Sequence, residues 1–257
     1  MTMKNLFDLT GKVALVTGAS SGLGVQFAKA LANQGADIAI CARRLEKLEA
    51  VKAEIEAMGV TCYVHPCDAM DPAQVKATVD DVVAHYGKID ILVNNAGLGL
   101  TEPAESQSDD TWTKMIGTNL NGVYYFAREA GRYMVEKGYG KVINIGSIHS
   151  TVALPGSPMT AYCSTKGAVA MLTKSLANEW AKKGITVNAI GPAYFESEMT
   201  AQIFEDPALL GMISALCPMG RPGRPGELDG ALIYFASDAS SYTTGQLLTV
   251  DGGWTTV

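Results

Sequence analysis

The chain has 257 residues, 47% hydrophobic and 18% charged, which suits a sizeable buried core and excludes a disordered chain. A formal net charge of −6 argues against a nucleic-acid partner, which needs a basic face. No apolar run reaches the roughly 18 residues of a membrane-spanning helix, and the first ten residues lack the charged and apolar regions of a signal peptide. Five scattered cysteines, Cys41, Cys62, Cys67, Cys163 and Cys217, read as reduced, buried thiols of a cytoplasmic protein. His65, His85 and His149 lie far apart, and no Cys/His cluster has metal-ligand spacing, so no metal is expected.

The first predicted strand, residues 13–16, runs into Thr17-Gly18-Ala19-Ser20-Ser21-Gly22-Leu23-Gly24 and then into a helical pattern over 25–31. Strand, glycine-rich turn and helix in that order make a phosphate-binding site. Backbone N–H groups and the positive helix end face the anion, and no bulky side chain blocks its approach. The spacing is G-x-x-x-G-x-G, not the usual G-x-G-x-x-G of dinucleotide sites, so an ordinary glycine-rich loop fits the same residues. A second strand over 37–41 follows Gly35, and Leu45, Leu48, Val51 and Ile55 mark one face of a helix over 44–58, stopped by Gly59. Residues 61–64 form a third strand, and 72–86 a helix with Asp71 at its N-cap and Pro72 at its first position. A fourth strand over 89–93 runs into Asn94-Asn95-Ala96-Gly97, and 109–137 is a long helical region, broken or bent near Gly117 and Gly122. A fifth strand over 141–145 ends at Gly146-Ser147, a helix covers 160–183, and a sixth strand over 185–190 ends at Gly191-Pro192. A helix over 227–236 and a last strand over 246–250 complete the chain.

Strand and helix alternate without a linker. This predicts an α/β fold: one Rossmann-type doubly wound domain over residues 1–257, with a seven-stranded parallel sheet and helices on both faces. Right-handed crossovers place every strand's C-terminal end along one edge, where ligands bind.

Tyr162 and Lys166 are four positions apart on one helical face, and Ser147 lies just past strand five on the ligand edge. A free tyrosine, titrating at about 10, is a poor acid–base group at neutral pH. A neighbouring ammonium, with the positive ring of an oxidised nicotinamide, would favour the phenolate and let Tyr162 move a proton to or from a substrate oxygen. Ser147 can hold that oxygen. Taken singly, the pair also fits a solvent-facing helix, and the serine a simple turn.

With residues 17–24, Asn94-Asn95-Ala96-Gly97 and Asn119, these residues make the chain resemble the short-chain dehydrogenase/reductase family over nearly its whole length. Its 3-oxoacyl reductase, hydroxysteroid dehydrogenase and gluconate 5-dehydrogenase-like members are the nearest in kind. The resemblance implies a catalytic tetrad of Asn119, Ser147, Tyr162 and Lys166. In that reading Lys166 also binds the nicotinamide ribose and Asn119 holds a water in a proton relay. It implies cofactor contacts from Gly18, Ser20, Ser21, Gly22, Leu23, Gly24, Asn95, Gly97 and Pro192. Asn95 matches the position beside the adenosine ribose, and Asp68 the aspartate that accepts from the adenine amino group; a turn asparagine and a helix cap fit them equally. Where the family has Pro-Gly, this chain has Pro192-Ala193, which would strain a left-handed turn. Ser197 stands for the family threonine and keeps its hydroxyl.

Strand two ends in Cys41-Ala42-Arg43-Arg44, without the carboxylate that NAD-preferring folds place on the ribose 2′-hydroxyl. Arg43, and secondarily Arg44, can pair with a 2′-phosphate, so NADP(H) is the expected cofactor. Arginines favouring solvent at a helix start would read the same way. Residues 196–218 carry Met199, Ile203, Phe204, Leu209, Leu210, Met212, Ile213 and Leu216, and form either a lid over a hydrophobic substrate or helices packed on the core. His149, Met159 and Tyr194 are candidate pocket walls. The expected activity is interconversion of a secondary alcohol and a ketone, with a steroid or bile acid as leading substrate. Sugar acids and 3-oxoacyl thioesters are alternatives, and a nucleotide-binding sensor without turnover is an alternative of another class. Beyond a small-molecule substrate, no nucleic acid or membrane is an expected partner; the family resemblance implies a homotetramer assembled through 109–137, 160–183 and 246–250.

Overall fold

The structure, a computed structural model, describes residues 5–256. Seven strands, β1 (Val13–Thr17), β2 (Asp37–Ala42), β3 (Cys62–Pro66), β4 (Ile91–Asn94), β5 (Gly140–Ile145), β6 (Ile185–Pro192) and β7 (Leu247–Val250), form one parallel sheet in the order β3-β2-β1-β4-β5-β6-β7. The helices are α1 (Gly22–Asn33), α2 (Leu45–Glu56), α3 (Pro72–Tyr86), α4 (Asp109–Ile116), α5 (Val123–Lys137), α6 (Thr160–Trp180), α7 (Ala201–Glu205), α8 (Pro207–Leu216) and α9 (Asp229–Ala236). Alternate residues of each strand face opposite sides. Ala14, Val16, Ile38, Ile40, Ile91 and Val93 pack with residues of α1, α2 and α9, whereas Val13, Leu15, Ala39, Leu92, Val142 and Val187 pack with α3, α5 and α6. Burial on both faces is why these strands read as unbroken apolar runs rather than as alternating ones. The architecture is the expected one.

Local chemistry sets the element ends. Asp71 accepts from the Ala73 and Gln74 N–H groups (2.8 and 3.3 Å) with Pro72 at the first helical position, and α3 ends at Gly87 with φ +75°. The 109–137 region is continuous rather than broken: α4 passes through a π-helical turn, Gly117–Gly122, into α5. Strand β4 starts at Ile91, two residues later than expected; just before it, the Asp90 N–H donates to the Val13 carbonyl and the Asp90 carbonyl accepts from the Lys141 N–H (2.9 Å each). The Asp90 carboxylate accepts from the Val13 N–H (2.9 Å) and pairs with Lys137 (2.5 Å) and Lys88 (3.0 Å), joining the starts of β1 and β4 to the end of α5. The segment 196–218 folds into α7 and α8.

The chain leaves β1 toward β2 and β3, then crosses back to β4 on the other side of β1. The C-terminal ends of β1 and β4 therefore flank a crevice where the strand order reverses, the ligand position of open α/β sheets.

Burial would raise the Asp90 carboxyl, but hydrogen bonds from Lys137, Val13 and Lys88 outweigh it and hold it below the usual carboxylate range. Asp90→Ala leaves the buried Val13 N–H unpaired and takes from Lys137 and Lys88 their shared carboxylate, and should lower the urea-unfolding free energy by about 3 kcal/mol at neutral pH. That difference should persist above about pH 4, the unfolded carboxyl value, and vanish as the pH falls through the lower native value. A difference that survives at low pH would contradict the ion-pair account.

Candidate active site

A groove of about 630 Å³ runs along the C-terminal edge of the sheet, lined by Gly18, Ser20, Ser21, Gly22, Leu23, Arg43, Arg44, Asp68, Asn95, Gly97, Ser147, Tyr162, Lys166, Pro192 and Ser197. Residues scattered from Gly18 to Ser197 thus share one surface. Its first wall is the glycine-rich turn. At Gly18 (φ +66°) a side chain would meet Ala96 Cα at 2.7 Å, and at Gly24, behind the turn, it would meet the Gly18 carbonyl at 2.4 Å. Only glycine lets these backbones close up. Thr17 Oγ1 accepts from the Asn95 and Ala96 N–H groups (3.0 Å each), and Asn95 Nδ2 donates to the Thr17 and Gly18 carbonyls (3.0 and 3.2 Å). Asn95 is therefore the clasp of the turn while it lines the groove. Ser21, at the N-cap of α1, makes no side-chain capping bond, and the first turn carries no acid. Its N–H groups are open to an anion, so turn and helix end fit a pyrophosphate.

At the end of β2, Arg44 rather than Arg43 turns toward the loop. Its Nη2 donates to Ser20 and Ser21 Oγ (3.0 and 2.9 Å), while Arg43 is exposed on the groove rim. Asp68 accepts from the Met70 N–H (3.0 Å) in a local turn, and the helix cap is Asp71. The Pro192-Ala193 departure costs nothing: no non-glycine residue among those described has positive φ, and the Ala193 N–H donates to the Val250 carbonyl (3.3 Å).

The other wall carries the polar chemistry. Ser147, extended after β5, is held by a reciprocal pair of bonds, its Oγ accepting from His149 N–H (3.1 Å) and its N–H donating to Ser150 Oγ (3.2 Å). Tyr162 and Lys166 stack one turn apart on α6. Lys166 is 6% exposed, its Nζ donates to the Ile145 carbonyl (2.7 Å), and it lies 5.7 Å from the centre of the Tyr162 ring. Burial pulls the Lys166 ammonium down to about 8. Without the positive nicotinamide ring on which the expected lowering depends, Tyr162 is shifted the other way. Burial raises its phenol above the ordinary value, and hydrogen bonding to Ser147 opposes this only in part.

Asn119 sits in the π-helical turn, wholly buried, and its amide is fully engaged. Oδ1 accepts from the Leu98 N–H (2.7 Å), and Nδ2 donates to the Leu98 carbonyl (2.9 Å) and Thr165 Oγ1 (3.3 Å). It ties the loop after β4 to the turn of α6 that bears Lys166. Of the expected pocket walls, none lines the groove itself: His149 lies beside Tyr162, with ring centres 6.0 Å apart, and Tyr194 packs on the His149 ring at 6.5 Å. Met159 is half-buried at the N-cap of α6, and Tyr194 also borders a second cavity of about 330 Å³ with Trp254. Two contributors went unforeseen. Thr17 had a signal, its place at the strand–turn junction; Glu198, which reaches Arg44 at 2.9 Å, had none, because the pair is 154 positions apart.

This fold and site define a nucleotide-dependent oxidoreductase of the Rossmann type. A family model described as enoyl-(acyl carrier protein) reductase matches residues 18–255. The chain is 39% identical to gluconate 5-dehydrogenase of Gluconobacter oxydans, over 99% of each chain. It is 41% identical to 2-dehydro-3-deoxy-D-gluconate 5-dehydrogenase of Pseudoalteromonas atlantica, over 98% of this chain and 99% of that one. The crystal structure of a gluconate 5-dehydrogenase from Burkholderia cenocepacia in complex with NADP and tartrate matches with a TM-score of 0.95 and 39% identity, over 98% of both chains. The chain belongs to the short-chain dehydrogenase/reductase family.

A lysine lowered on folding binds fewer protons than its unfolded form between its two pKa values, so stability rises with pH across that window. Measured by urea unfolding, the wild-type protein should gain stability relative to Lys166→Met as pH rises from about 8 toward the unfolded value of about 10.4. A pH-independent difference would show that Lys166 is not held down by burial.

Proposed function

We propose that this protein is an NADP(H)-dependent oxidoreductase that interconverts a secondary alcohol and a ketone on a sugar acid. The observation that carries this reading is the convergence of Ser147, Tyr162 and the buried Lys166 on one groove with an open helix N-terminus. NADP(H), when bound, supplies or accepts the hydride. Gly18, Gly22, Leu23 and Gly97 give the cofactor backbone contact, with Gly24 closing the turn behind; Pro192 and Ser197 border its nicotinamide end, and Asp68 its adenine end. Arg43, Arg44, Ser20 and Ser21 form the seat of its 2′-phosphate. Ser147 holds the substrate oxygen, and Tyr162 gives it a proton in reduction or takes one in oxidation. Lys166 holds the ribose and favours the phenolate. Asn119 positions the loop after β4 and α6, and the π-helical turn around it leaves backbone carbonyl capacity for a water in the proton path.

The steroid lean is not supported by the relatives, which are named as sugar-acid dehydrogenases; the sugar-acid alternative replaces it. His149 supports the change. Its Nδ1 lies 3.0 Å from the Val152 carbonyl, which only accepts, so Nδ1 carries the proton. Burial lowers the imidazole's pKa and keeps it neutral, which leaves Nε2 a bare acceptor; that atom is buried without a partner. A buried unpaired acceptor costs about 1–3 kcal/mol, a cost that a substrate hydroxyl removes. A polyhydroxylated substrate brings such a donor beside the reacting carbon.

Segment 196–218 is proposed as the substrate lid. Ile213 and Cys217 pack against Ile148 and Trp254, while Met199, Leu209, Met212 and Leu216 stay exposed. The homotetramer is a further proposal, supported by exposed Trp112, Tyr124, Met171 and Leu248 on the helices and edge strand that would assemble.

Tyr162→Phe should lower kcat by about 10²–10⁴-fold while NADPH still binds within about twofold of wild type, by fluorescence titration. Full activity in this variant would overturn the mechanism, and cofactor binding without turnover in the wild type would favour a sensor. His149→Phe should raise KM for a polyhydroxylated keto acid about tenfold, with little change for a ketone bearing no further hydroxyl. Equal effects on both would remove the hydroxyl contact.

A further inference from the structure

The strand of chain between β6 and α7 does not stay on its own side of the groove. Ser197 lies over the glycine-rich turn, close enough that a Cβ at Gly22 would meet Ser197 Cβ at 3.1 Å. Glu198 reaches further. Its Oε2 accepts from Ser21 Oγ and from Arg44 Nη2 (2.9 Å each), and its Oε1 from Lys47 Nζ (2.8 Å) and Arg44 Nη1 (3.4 Å). Its partners hold the carboxyl down to about 2, with the hydrogen bonds from Arg44, Lys47 and Ser21 as the main causes. A carboxylate from the far side of the sheet thus occupies the centre of a cationic, hydroxyl-rich cluster.

Arg44, Ser20 and Ser21 also form the proposed seat of the 2′-phosphate, and any role of Glu198 in cofactor choice rests on that assignment. Arg44 Nη2 already faces three acceptors: Ser20 Oγ, Ser21 Oγ and Glu198 Oε2. It has two N–H bonds to give, so a phosphate entering the cluster must displace at least one of these acceptors, and Glu198 is the one among them that carries negative charge. Two anions cannot share one guanidinium nitrogen at hydrogen-bond distance without strong repulsion. The carboxylate side chain is 53% exposed, and an ion pair so open to water is weak enough to be displaced.

We propose that Glu198 is a built-in competitor for the 2′-phosphate of NADP(H), a cofactor-specificity residue that moderates the phosphate seat and makes its loading depend on release of the 197–200 strap. Glu198 takes over part of the discrimination that NAD-preferring folds assign to an acid at the end of strand two. It repels a 2′-phosphate and leaves a 2′-hydroxyl unopposed. Because the acid comes from the strap and not from the sheet, it can withdraw.

The test uses fragments that carry the adenosine end alone. Adenosine 2′,5′-bisphosphate and adenosine 5′-monophosphate are titrated calorimetrically into wild-type protein, Glu198→Gln and Arg44→Ala. Glu198→Gln keeps the side-chain shape and removes the charge; it should bind the bisphosphate about 5–10-fold more tightly and the monophosphate within about twofold of wild type, with the gain shrinking as salt is raised. An unchanged or weakened bisphosphate affinity in Glu198→Gln, with Arg44→Ala abolishing the preference for the bisphosphate, overturns the role of Glu198 and leaves the phosphate seat standing. If Arg44→Ala keeps the full preference for the bisphosphate, the seat itself is wrongly placed and the proposal falls with it.

Discussion

The buried ammonium of Lys166 is the constraint around which the site is arranged. A cation removed from water needs a fixed acceptor, and the Ile145 carbonyl at 2.7 Å provides one where β5 ends. That bond sets the depth of α6 against the sheet and so places Tyr162, one turn earlier, on the ligand edge. Ser147 follows two residues after Ile145 on the same strand end, so phenol, ammonium and hydroxyl are positioned by a single junction. Asn119 braces the other side of that junction through Thr165, the neighbour of Lys166. The rest of the fold serves to bring a glycine-rich turn up to this junction from across the strand-order reversal.

Electrostatics leaves the junction poised. Burial pushes the Tyr162 phenol up and the Lys166 ammonium down, so both groups are held toward their neutral forms. In the proposed reaction, the positive ring of an oxidised nicotinamide would reverse the balance at Tyr162. At the other end of the groove the charge is of opposite sign, and Arg44 is satisfied by Glu198; the proposed competition with a 2′-phosphate would act on that pair. Each end thus holds its charge in a state that a ligand can change.

Much of this is legible in the sequence. The element order, the Asp71 cap, the glycine-rich turn and the Tyr162–Lys166 spacing are local patterns with a period or an offset, and each stands where expected. What stays hidden depends on distance in sequence. The buried carboxylate of Asp90 finds its partners at Val13 and Lys137, 77 and 47 positions away. Arg44 and not Arg43 reaches the loop hydroxyls because α2 starts at Leu45 and turns the residue before it inward. The environment of His149, which supports a hydroxylated substrate, depends on a tautomer set by the Val152 carbonyl, and no pattern reports a tautomer. The apolar residues of 196–218 suggest a steroid because composition cannot tell a lid's inner face from its outer one; in the fold, Ile213 is buried while Met212 is exposed.

Catalysis on this account turns on Tyr162, a phenol held neutral by burial and made acidic by positive charge in the groove. The direct measurement is an ultraviolet difference titration of wild type against Tyr162→Phe, with and without oxidised NADP, so that the other tyrosines cancel. The Tyr162 phenol should ionise at a lower pH once the oxidised cofactor is bound. A titration unchanged by the cofactor, or moved upward, would contradict the role given to this residue.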